Sequence, residues 1–469
     1  MEKASAESAD KIKTVLSSSR KLSLLGLVCV IFFTVSGGAF GIEPLVGKLG
    51  PFWAIALVVI TPLMWSLPIA LMVAELSSAM PEEGGYFVWV RRGLGDFWGF
   101  QEGWWTICYT AVDMAIYPVL FVNYLSFFVP ALAIDGDGNA DSFTFFARWA
   151  VCASLIFIGF LVNYSGVKNV GYNAIFNAGL VLLPFILFSV SGLSFGPQNP
   201  ISEIQRGLSM ETNGALIAVG LATVLWNYCG WDNVGTFAGE VGDPSKNYPR
   251  ALLTALPITV CAYLFPILAG ISVTTDAAFW NEATGFPAIA NELGIPWLGI
   301  LIAVAALISA WSLFNSQLLY VSRLPFAMAE AGWLPRPLAK LSPRTKTPVV
   351  ALAVCCTIAA IFSALPFGKL VVIDILLYSA ALLLEFVAFL VLRKREPGMN
   401  RPFRVPGEWG GAIVISILPA IFASIVLTAT FADFESSIWQ IYVVAGAILS
   451  GVALYFLQKR WRKNNLLSS

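Results

Sequence analysis

The sequence predicts an all-α integral membrane protein with twelve transmembrane helices. Three observations predict this fold class. Hydrophobic residues occupy 58% of the 469 positions and charged residues only 12%, a composition outside the range of soluble proteins. Apolar stretches of roughly 20 residues, the length that crosses a bilayer, occur twelve times along the chain. The first and the sixth stretch are each interrupted by glycine and polar residues, which divides the chain into two similar halves.

Short polar connections separate the apolar stretches. The apolar stretches cover residues 22–47 (interrupted), 51–79, 95–130, 146–164, 170–195, 213–240 (interrupted), 249–274, 297–328, 348–365, 368–392, 411–432 and 438–458. Residues 1–21 are polar and serine-rich without an apolar core, so we expect a flexible tail there rather than a cleaved signal peptide. A second polar tail is expected over residues 459–469.

The distribution of basic residues predicts the orientation in the membrane. If the N-terminus is cytoplasmic, 24 of the 28 Lys and Arg residues face the cytoplasm, and only Lys48, Arg148, Arg206 and Lys369 face outward. An excess of Lys and Arg marks the cytoplasmic side of membrane proteins. We therefore expect a multi-pass protein of the cell membrane with both termini in the cytoplasm.

The two interruptions, at residues 34–41 and 226–235, indicate a binding site. Lipid cannot satisfy the N–H and C=O groups of an unwound helix, so such backbone is tolerated only where it lines a cavity in the protein. Interrupted helices at corresponding positions of two halves are typical of secondary transporters. The glycines could instead serve only close helix packing, but their clustering with polar residues favours a cavity.

The halves predict an inverted repeat. Residues 22–195 hold helices 1–5 and residues 213–393 hold helices 6–10, and each set opens with an interrupted helix. An odd number of helices gives the two sets opposite orientations, and carriers built this way bind substrate near the bilayer midplane. The last two helices, over residues 411–458, lie outside the repeat.

Composition also excludes several functions. The chain has no histidine, so imidazole proton relays, histidine metal ligands and Ser-His or Cys-His catalytic pairs are impossible. The seven cysteines all fall in apolar segments, as packing residues do. The net charge is zero, so nothing indicates a nucleic acid partner. We expect a protein that is not an enzyme and holds no cofactor or metal; its partners are the bilayer, a small substrate and a proton.

Motifs throughout the chain resemble those of the amino acid–polyamine–organocation superfamily, and its L-type amino acid transporter branch in particular. They are Ser36-Gly37-Gly38, Ala74-Glu75-Leu76, Pro81–Tyr86, Gly230-Trp231-Asp232, Gly239-Glu240-Val241 and Asn247–Arg250. Three further segments resemble plant-type polyamine uptake transporters. They are Val35–Glu43, Gly99–Gly103 and Asp113–Phe121. The resemblance implies the leucine-transporter-type fold, with helices 1 and 6 broken, and alternating access.

The first interruption predicts one part of the substrate site. Unwinding around Ser36, Gly37 and Gly38 frees backbone N–H groups, and the half-helix that follows points the positive end of its dipole at the cavity. In amino acid carriers that the chain resembles, these glycines hold the substrate carboxylate. Phe40 would lie beside the substrate as a wall or gate. The alternative is a packing turn without a ligand.

The second interruption predicts the opposite polarity. Carbonyl groups freed around Asn227 and Tyr228 can accept hydrogen bonds from an ammonium, and the rings of Trp226 and Trp231 can bind a cation. The resemblance implies that Trp226 is an aromatic gate. It also places Asp232 where amino acid carriers have asparagine, which suits a substrate with surplus positive charge. Alternatively, Asp232 caps the second half-helix.

Helix 3 carries a polar stripe on one face. Its members, at helical spacing, are Glu102, Thr106, Tyr109, Asp113, Tyr117 and Tyr124. Asp113 lies about 25 Å along a helix that begins near Asp96, hence well inside the membrane. A carboxylate at that depth is a functional hypothesis by default, and an acidic stripe with tyrosines suits a long flexible polycation. The alternative is a hydrogen bond to a neighbouring helix for assembly.

Other acidic residues predict gates. Glu43 is expected to attract cations at the outer entrance. An inner gate of ion pairs is expected from four carboxylates near Arg91, Arg92 and Arg250. These carboxylates are Glu75, Glu82, Glu83 and Glu240. On helix 10 Asp374 and Glu385 share a face, and Tyr378, one turn after Asp374, is expected to close the cavity.

Taken together, the residues favour a secondary carrier that brings polyamines or related cationic amines into the cell. Proton symport is expected, with Asp113 or Glu102 carrying the proton. The alternative substrate class is a neutral or cationic amino acid, moved by an L-type transporter or exchanger. A membrane nutrient sensor that binds without transport, or a channel, are further alternatives.

Overall fold

The described part of the chain is entirely helical. The computed structural model describes residues 24–81, 85–134, 141–165, 170–210, 212–235, 243–280, 285–345, 347–432 and 434–466, and no β-strand occurs among them. Nine helices in these ranges are long and apolar enough to cross a membrane. The predicted tail over residues 1–21 lies outside the described residues.

We number the α-helices in chain order. They are α1 (Leu24–Val35), α2 (Pro44–Thr61), α3 (Leu67–Ala79), α4 (Gly85–Leu94), α5 (Asp96–Leu125), α6 (Ser142–Tyr164), α7 (Val170–Phe195), α8 (Pro200–Gly207), α9 (Gly214–Asn227), α10 (Pro244–Val273), α11 (Gly285–Glu292), α12 (Pro296–Val321), α13 (Arg323–Glu330), α14 (Val349–Phe362), α15 (Phe367–Arg395), α16 (Glu408–Ala432) and α17 (Phe434–Leu466). A π-helical turn, Pro62–Ser66, joins α2 to α3.

Three of the twelve predicted stretches do not form a separate long helix within the described ranges. The first is cut at its break, and its second half runs into the second stretch through a kink at Gly50, where φ is 76°. The sixth and the ninth stretch form α9 and α14, of 14 residues each. Nine spans are therefore the part of the twelve-helix prediction that these residues establish.

Glycines end the regular helix at both interruptions. Between α1 and α2 the chain is irregular, and Gly37, Gly38 and Gly41 have φ of 61°, 109° and 75°. After α9 the φ of Gly230 is 91°. Glycine, which has no Cβ, takes these angles at little cost, whereas other residues are strained there. Residues 236–242, which follow the second interruption, lie outside the described residues.

Helices α5 and α15 form the centre of the bundle. In each, 72% of the most apolar window is buried inside the protein, compared with 17% in α6 and 22% in α17. The two helices pack extensively against each other, and α5 also packs against α12. Because α5 and α15 are largely shielded from lipid, they are the helices on which polar side chains can lie at membrane depth.

Candidate substrate-binding site

A cavity lies between the two interruptions. Its volume is about 500 Å³, including space open to solvent. Its walls come from the end of α1, from α5, from the segment around the end of α9, from α12 and from α15. The lining residues are Phe33, Thr34, Val35, Ser36, Tyr109, Asp113, Tyr117, Trp226, Asn227, Cys229, Gly230, Asn233, Leu313, Gln317, Asp374 and Tyr378.

Asp113 accepts hydrogen bonds from three side chains of the cavity. Trp226 Nε1 donates to its Oδ1 at 3.1 Å. Tyr117 OH donates to Oδ2 at 2.9 Å, and Gln317 Nε2 donates to the same oxygen at 3.0 Å. Gln317 Nε2 also lies 2.9 Å from Tyr117 OH. These donors come from three helices, so they hold the side chain of Asp113 in place and stabilise its charge. No Lys or Arg of the described residues forms an ion pair with it.

Asp374 is a second carboxylate in the same cavity. Its side chain is 3% exposed and lies within electrostatic range of Asp113. Its Oδ1 has no hydrogen-bond partner in the described part of the chain. No Lys or Arg occurs among the described lining residues. Buried charges are normally paired, so a cation or a proton would relieve the charge of these two carboxylates.

Aromatic rings surround the two carboxylates. Tyr109 and Tyr378 meet edge to face, with 5.2 Å between ring centroids. Trp226 packs edge to face on Phe367 at 5.4 Å, and its ring also faces Tyr117 at 6.3 Å. A cation over such a ring gains about 0.5–2 kcal/mol. The carboxylates can bind the ammonium group of an alkyl amine, and the rings can pack against its methylene groups.

Six of the predicted site residues line this cavity. They are Ser36, Tyr109, Asp113, Trp226, Asn227 and Tyr378. The predicted role of Tyr378 in closing the cavity is compatible with its position, since its hydroxyl reaches the second interruption, 3.4 Å from Gly230 N. The hydroxyl of Tyr378 also donates to Asp232 Oδ1 at 2.5 Å.

Apart from Ser36, the predicted residues of the first interruption do not belong to the described cavity lining. A β-carbon on Gly37 would lie 2.4 Å from Leu313 Cδ1, and one on Gly38 would lie 2.6 Å from Val181 Cγ1. Both glycines therefore permit close packing in this structure. Phe40 packs on Phe185, with ring centroids 4.9 Å apart, rather than on the cavity.

Several predicted residues of the second interruption are also displaced from the cavity. Tyr228 is fully buried, and its hydroxyl donates to Val58 O at 3.1 Å. The carbonyl of Asn227, expected to accept from an ammonium, already accepts from Tyr263 OH at 2.7 Å. Trp231 is fully buried and does not belong to the described lining, so the structure does not bring its ring to a cation in the cavity.

The predicted proton residue Glu102 lies outside the cavity. Its side chain is fully buried. One carboxylate oxygen accepts from Thr106 Oγ1 at 3.4 Å, and the other has no partner among the described residues. Asp232 is likewise buried behind the lining, held by Tyr378.

The sequence did not identify Gln317 and Asp374 as binding residues. Gln317 is a polar residue within an otherwise apolar stretch, which is a signal that could have marked it. Asp374 was noted for its helix face, but its proximity to Asp113 arises only when α15 packs on α5.

The predicted entrance and gate residues need correction. Glu43 is buried and accepts a hydrogen bond from Tyr124, so it does not face the solvent at an entrance. In the described part of the chain Glu75 does form ion pairs, but with Arg393 and Arg401, so the expected partners Arg91, Arg92 and Arg250 are wrong. Glu82, Glu83 and Glu240 lie outside the described residues.

Glu75 instead joins α3 to the chain around the end of α15. Arg393 donates to both of its carboxylate oxygens, Arg401 Nε lies 3.1 Å from Oε1, and Val405 N donates to Oε2 at 2.8 Å. Of the nearby arginines, Arg92 bonds Glu396. Arg393 is thus a buried structural residue, not only a basic anchor after the tenth apolar stretch.

Known proteins resemble the chain over nearly its full length. A family model described as amino acid permease matches residues 22–452. Polyamine transporter PUT1 of Oryza sativa subsp. japonica is 36% identical over 95% of this chain and 80% of its own length. Polyamine transporter RMV1 of Arabidopsis thaliana is 34% identical, over 95% and 87% respectively. The serine/threonine exchanger SteT of Bacillus subtilis is 28% identical, over 72% and 74%.

These matches confirm the resemblance that the motifs carry. They also agree with the nine candidate membrane spans of the described residues and identify a transporter rather than an enzyme. The chain therefore belongs to the amino acid permease family of the amino acid–polyamine–organocation superfamily, and it is a multi-pass membrane transporter.

Proposed function

We propose that the chain carries polyamines or related cationic amines across the cell membrane by alternating access. One observation carries this proposal. The cavity between the two interruptions holds Asp113 and Asp374, five aromatic side chains and no basic side chain among its described lining. An amino acid offers one ammonium and one carboxylate, whereas a polyamine offers only positive charges. Two carboxylates without a cation match the polyamine.

In this proposal an ammonium group binds between Asp113 and Asp374. It donates to the unpartnered Oδ1 of Asp374 and shares Asp113 with the donors that already hold it. The methylene chain lies against Tyr109, Tyr378 and Trp226. Charge-assisted hydrogen bonds of this kind are roughly twice as strong as neutral ones, and the apolar rings favour an alkyl chain over a hydrated ion.

The twelve-helix architecture is part of the proposal. Helices 1–5 over residues 22–195 and helices 6–10 over residues 213–393 form the inverted repeat, and residues 411–458 add two helices. Rocking of one repeat against the other exposes the cavity to each side in turn. The Lys and Arg distribution supports cytoplasmic termini, with tails over residues 1–21 and 459–469.

We further propose proton-coupled uptake, with Asp113 and Glu102 as the acids involved. Asp113 binds either the ammonium or a proton, which alone gives exchange. Symport therefore needs a second acid. Glu102 lies on the same face of α5, about 16 Å along the helix, and one of its oxygens is unpartnered in the described part. Both properties fit a proton carrier separate from the substrate carboxylate.

Amino acid transport is the second candidate function. The family includes amino acid carriers, and the exchanger of Bacillus subtilis is 28% identical. Backbone of the first interruption, from Thr34 to Ser36, borders the cavity and could meet a substrate carboxylate.

Uptake into liposomes that contain the purified full-length protein decides between the candidates. Labelled putrescine is offered with an excess of unlabelled putrescine, spermidine, arginine, leucine or serine. The proposal expects both polyamines to compete most strongly and serine and leucine to compete weakly. Stronger competition by the amino acids would overturn it. Counterflow of label into liposomes preloaded with unlabelled amine separates a carrier from a sensor and from a channel.

A further inference from the structure

Helices α5 and α15 place like residues opposite each other at three levels. Tyr109 faces Tyr378, with ring centroids 5.2 Å apart. Asp113, four residues later on α5, interacts electrostatically with Asp374, four residues earlier on α15. The two helices are therefore antiparallel. In the other direction the same register places Glu102 opposite Glu385, and these two carboxylates also interact.

The carboxylates of Glu102 and Glu385 form a second acidic level together with Asp232. All three side chains are at most 2% exposed. Asp232 lies within electrostatic range of both glutamates, and its Oδ1 is bonded to the cavity residue Tyr378. The second level is thus adjacent to the cavity, and the pair formed by Tyr109 and Tyr378 lies between it and the level of Asp113 and Asp374.

Two oxygens at this level lack a partner. Glu102 Oε2 and Glu385 Oε2 are buried and accept no hydrogen bond from the described residues. No Lys or Arg in the described part of the chain forms an ion pair with either glutamate or with Asp232. Three buried carboxylates without a cation are costly unless a positive ligand joins them.

A metal ion is not the ligand that the geometry favours. Within the described ranges, no group of three His, Cys, Asp or Glu is arranged to hold one. An organic ammonium has less strict geometric requirements, since it needs a few acceptors near its N–H groups rather than a fixed coordination shell. The phenol ring of Tyr86, within electrostatic range of all three carboxylates, adds an aromatic face.

We propose that Glu102, Asp232 and Glu385 form a second ammonium station, which holds the distal end of a long linear polyamine whose near end lies between Asp113 and Asp374. This inference rests on the proposed function. The amine reaches the second station after the Tyr109 and Tyr378 rings separate, because in the present structure these rings are in contact between the two stations. The two stations together thereby distinguish long polyamines from short ones.

The spacing of the stations selects a length. Eleven residues separate Asp113 from Glu102 and Asp374 from Glu385, which corresponds to about 16 Å on either helix. An extended chain gains roughly 1.2 Å per bond, as the protein backbone does. The terminal nitrogens of putrescine are then about 6 Å apart, and those of spermine are about 16 Å apart. Putrescine can occupy the Asp113–Asp374 station alone and leaves Glu102 free to carry a proton, whereas spermine can bridge both stations and takes the place of that proton.

Equilibrium binding of putrescine and spermine to the purified full-length protein tests the inference. In Glu385→Gln the affinity for spermine should fall by about tenfold or more, the effect of losing a charge-assisted hydrogen bond. Its affinity for putrescine should stay within about twofold, since the station between Asp113 and Asp374 is intact. Glu102→Gln should lower the affinity for spermine by a similar factor. Glu330→Gln, an exposed glutamate at the end of α13, is the matched control and should change neither affinity.

The outcomes separate this inference from the proposed function. If wild type binds neither amine, the proposed function fails. If wild type binds putrescine but both variants affect the two amines equally or not at all, only the second station fails. A change in the pH dependence of transport with no change in spermine affinity would identify the level as a proton site only and would also overturn the station.

A measurement on wild type keeps the inference testable if both variants misfold. Unbranched α,ω-diamines of increasing length compete with labelled putrescine. The affinity of the diamine should rise abruptly when the distance between its terminal nitrogens reaches about 16 Å, at a chain of about twelve carbons. A gradual rise with every added methylene, about 0.8 kcal/mol per buried group, would show hydrophobic binding only and contradict a second charged station.

Discussion

Replacing Asp113 by asparagine removes one negative charge from the cavity and little else. The amide keeps an oxygen for Trp226 Nε1, which now lies 3.1 Å from Oδ1. Its NH₂ group would face Tyr117 OH and Gln317 Nε2, 2.9 and 3.0 Å from the present Oδ2. The hydroxyl can turn to accept, and the amide of Gln317 can flip to present its oxygen. We therefore expect Asp113→Asn to fold.

The expected loss is specific to the charge of the substrate. One charge-assisted hydrogen bond is worth roughly 1.5–3 kcal/mol, which corresponds to a 10- to 150-fold loss of affinity for a polyamine. Any residual transport of a neutral amino acid should weaken far less, because it does not depend on that charge. Thermal stability without substrate should be unchanged or higher, since Asp374 loses a like-charged neighbour.

Competition uptake in liposomes measures the change, with putrescine, spermidine, leucine and serine as competitors. Asp276→Asn is the matched control, because Asp276 is exposed and bonds only within its own turn at Ala278 N, 2.9 Å away. An equal loss for all four competitors at normal expression would refute the reasoning and make Asp113 a structural or proton residue. A clear drop in thermal stability would favour the structural role.

Three further variants test other parts of the structure. Gly38→Val should abolish substrate binding, because φ is 109° and a β-carbon would lie 2.6 Å from Val181 Cγ1; a folded variant with unchanged affinity would remove the first interruption from the site. Glu102→Gln should abolish uphill uptake of putrescine driven by an inward proton gradient but preserve putrescine exchange; continued concentration of putrescine would exclude Glu102 as the coupling acid. Glu75→Gln should destabilise the protein by about 3–5 kcal/mol, since Arg393 is left buried and unpaired, and a melting curve like that of wild type would contradict this.

The helical class follows from the sequence because apolar length is a local property. Stretches long enough to cross a bilayer are visible without knowing any contact, and so are clustered glycines. The number of separate long helices could not be predicted as well from the sequence. The kink at Gly50 merges the end of the first stretch with the second, and α14 is only 14 residues long.

The site was predictable where it depends on one helix and not where it depends on two. Helical spacing and depth identified Asp113 and its tyrosines on α5. The partner Asp374 and the donor Gln317 join it through packing of α15 and α12, which no local pattern encodes. Backbone atoms were the hardest to assign. The carbonyl of Asn227 was predicted to be free, but Tyr263, distant in sequence, donates to it.

The energetics of the buried acids connect stability to function. Asp113 is held by three donors, whereas Asp374 Oδ1, Glu102 Oε2 and Glu385 Oε2 have none in the described part of the chain. An unpaired buried charge costs several kcal/mol, so the protein without ligand carries a destabilising term that a proton or an ammonium can remove. A ligand that binds only the folded state stabilises it by RT ln(1 + [L]/Kd), about 2.7 kcal/mol at one hundred times Kd. Binding and folding therefore depend on the same carboxylates, and an ammonium that neutralises them also removes a charge that would otherwise oppose closure of the cavity around the substrate.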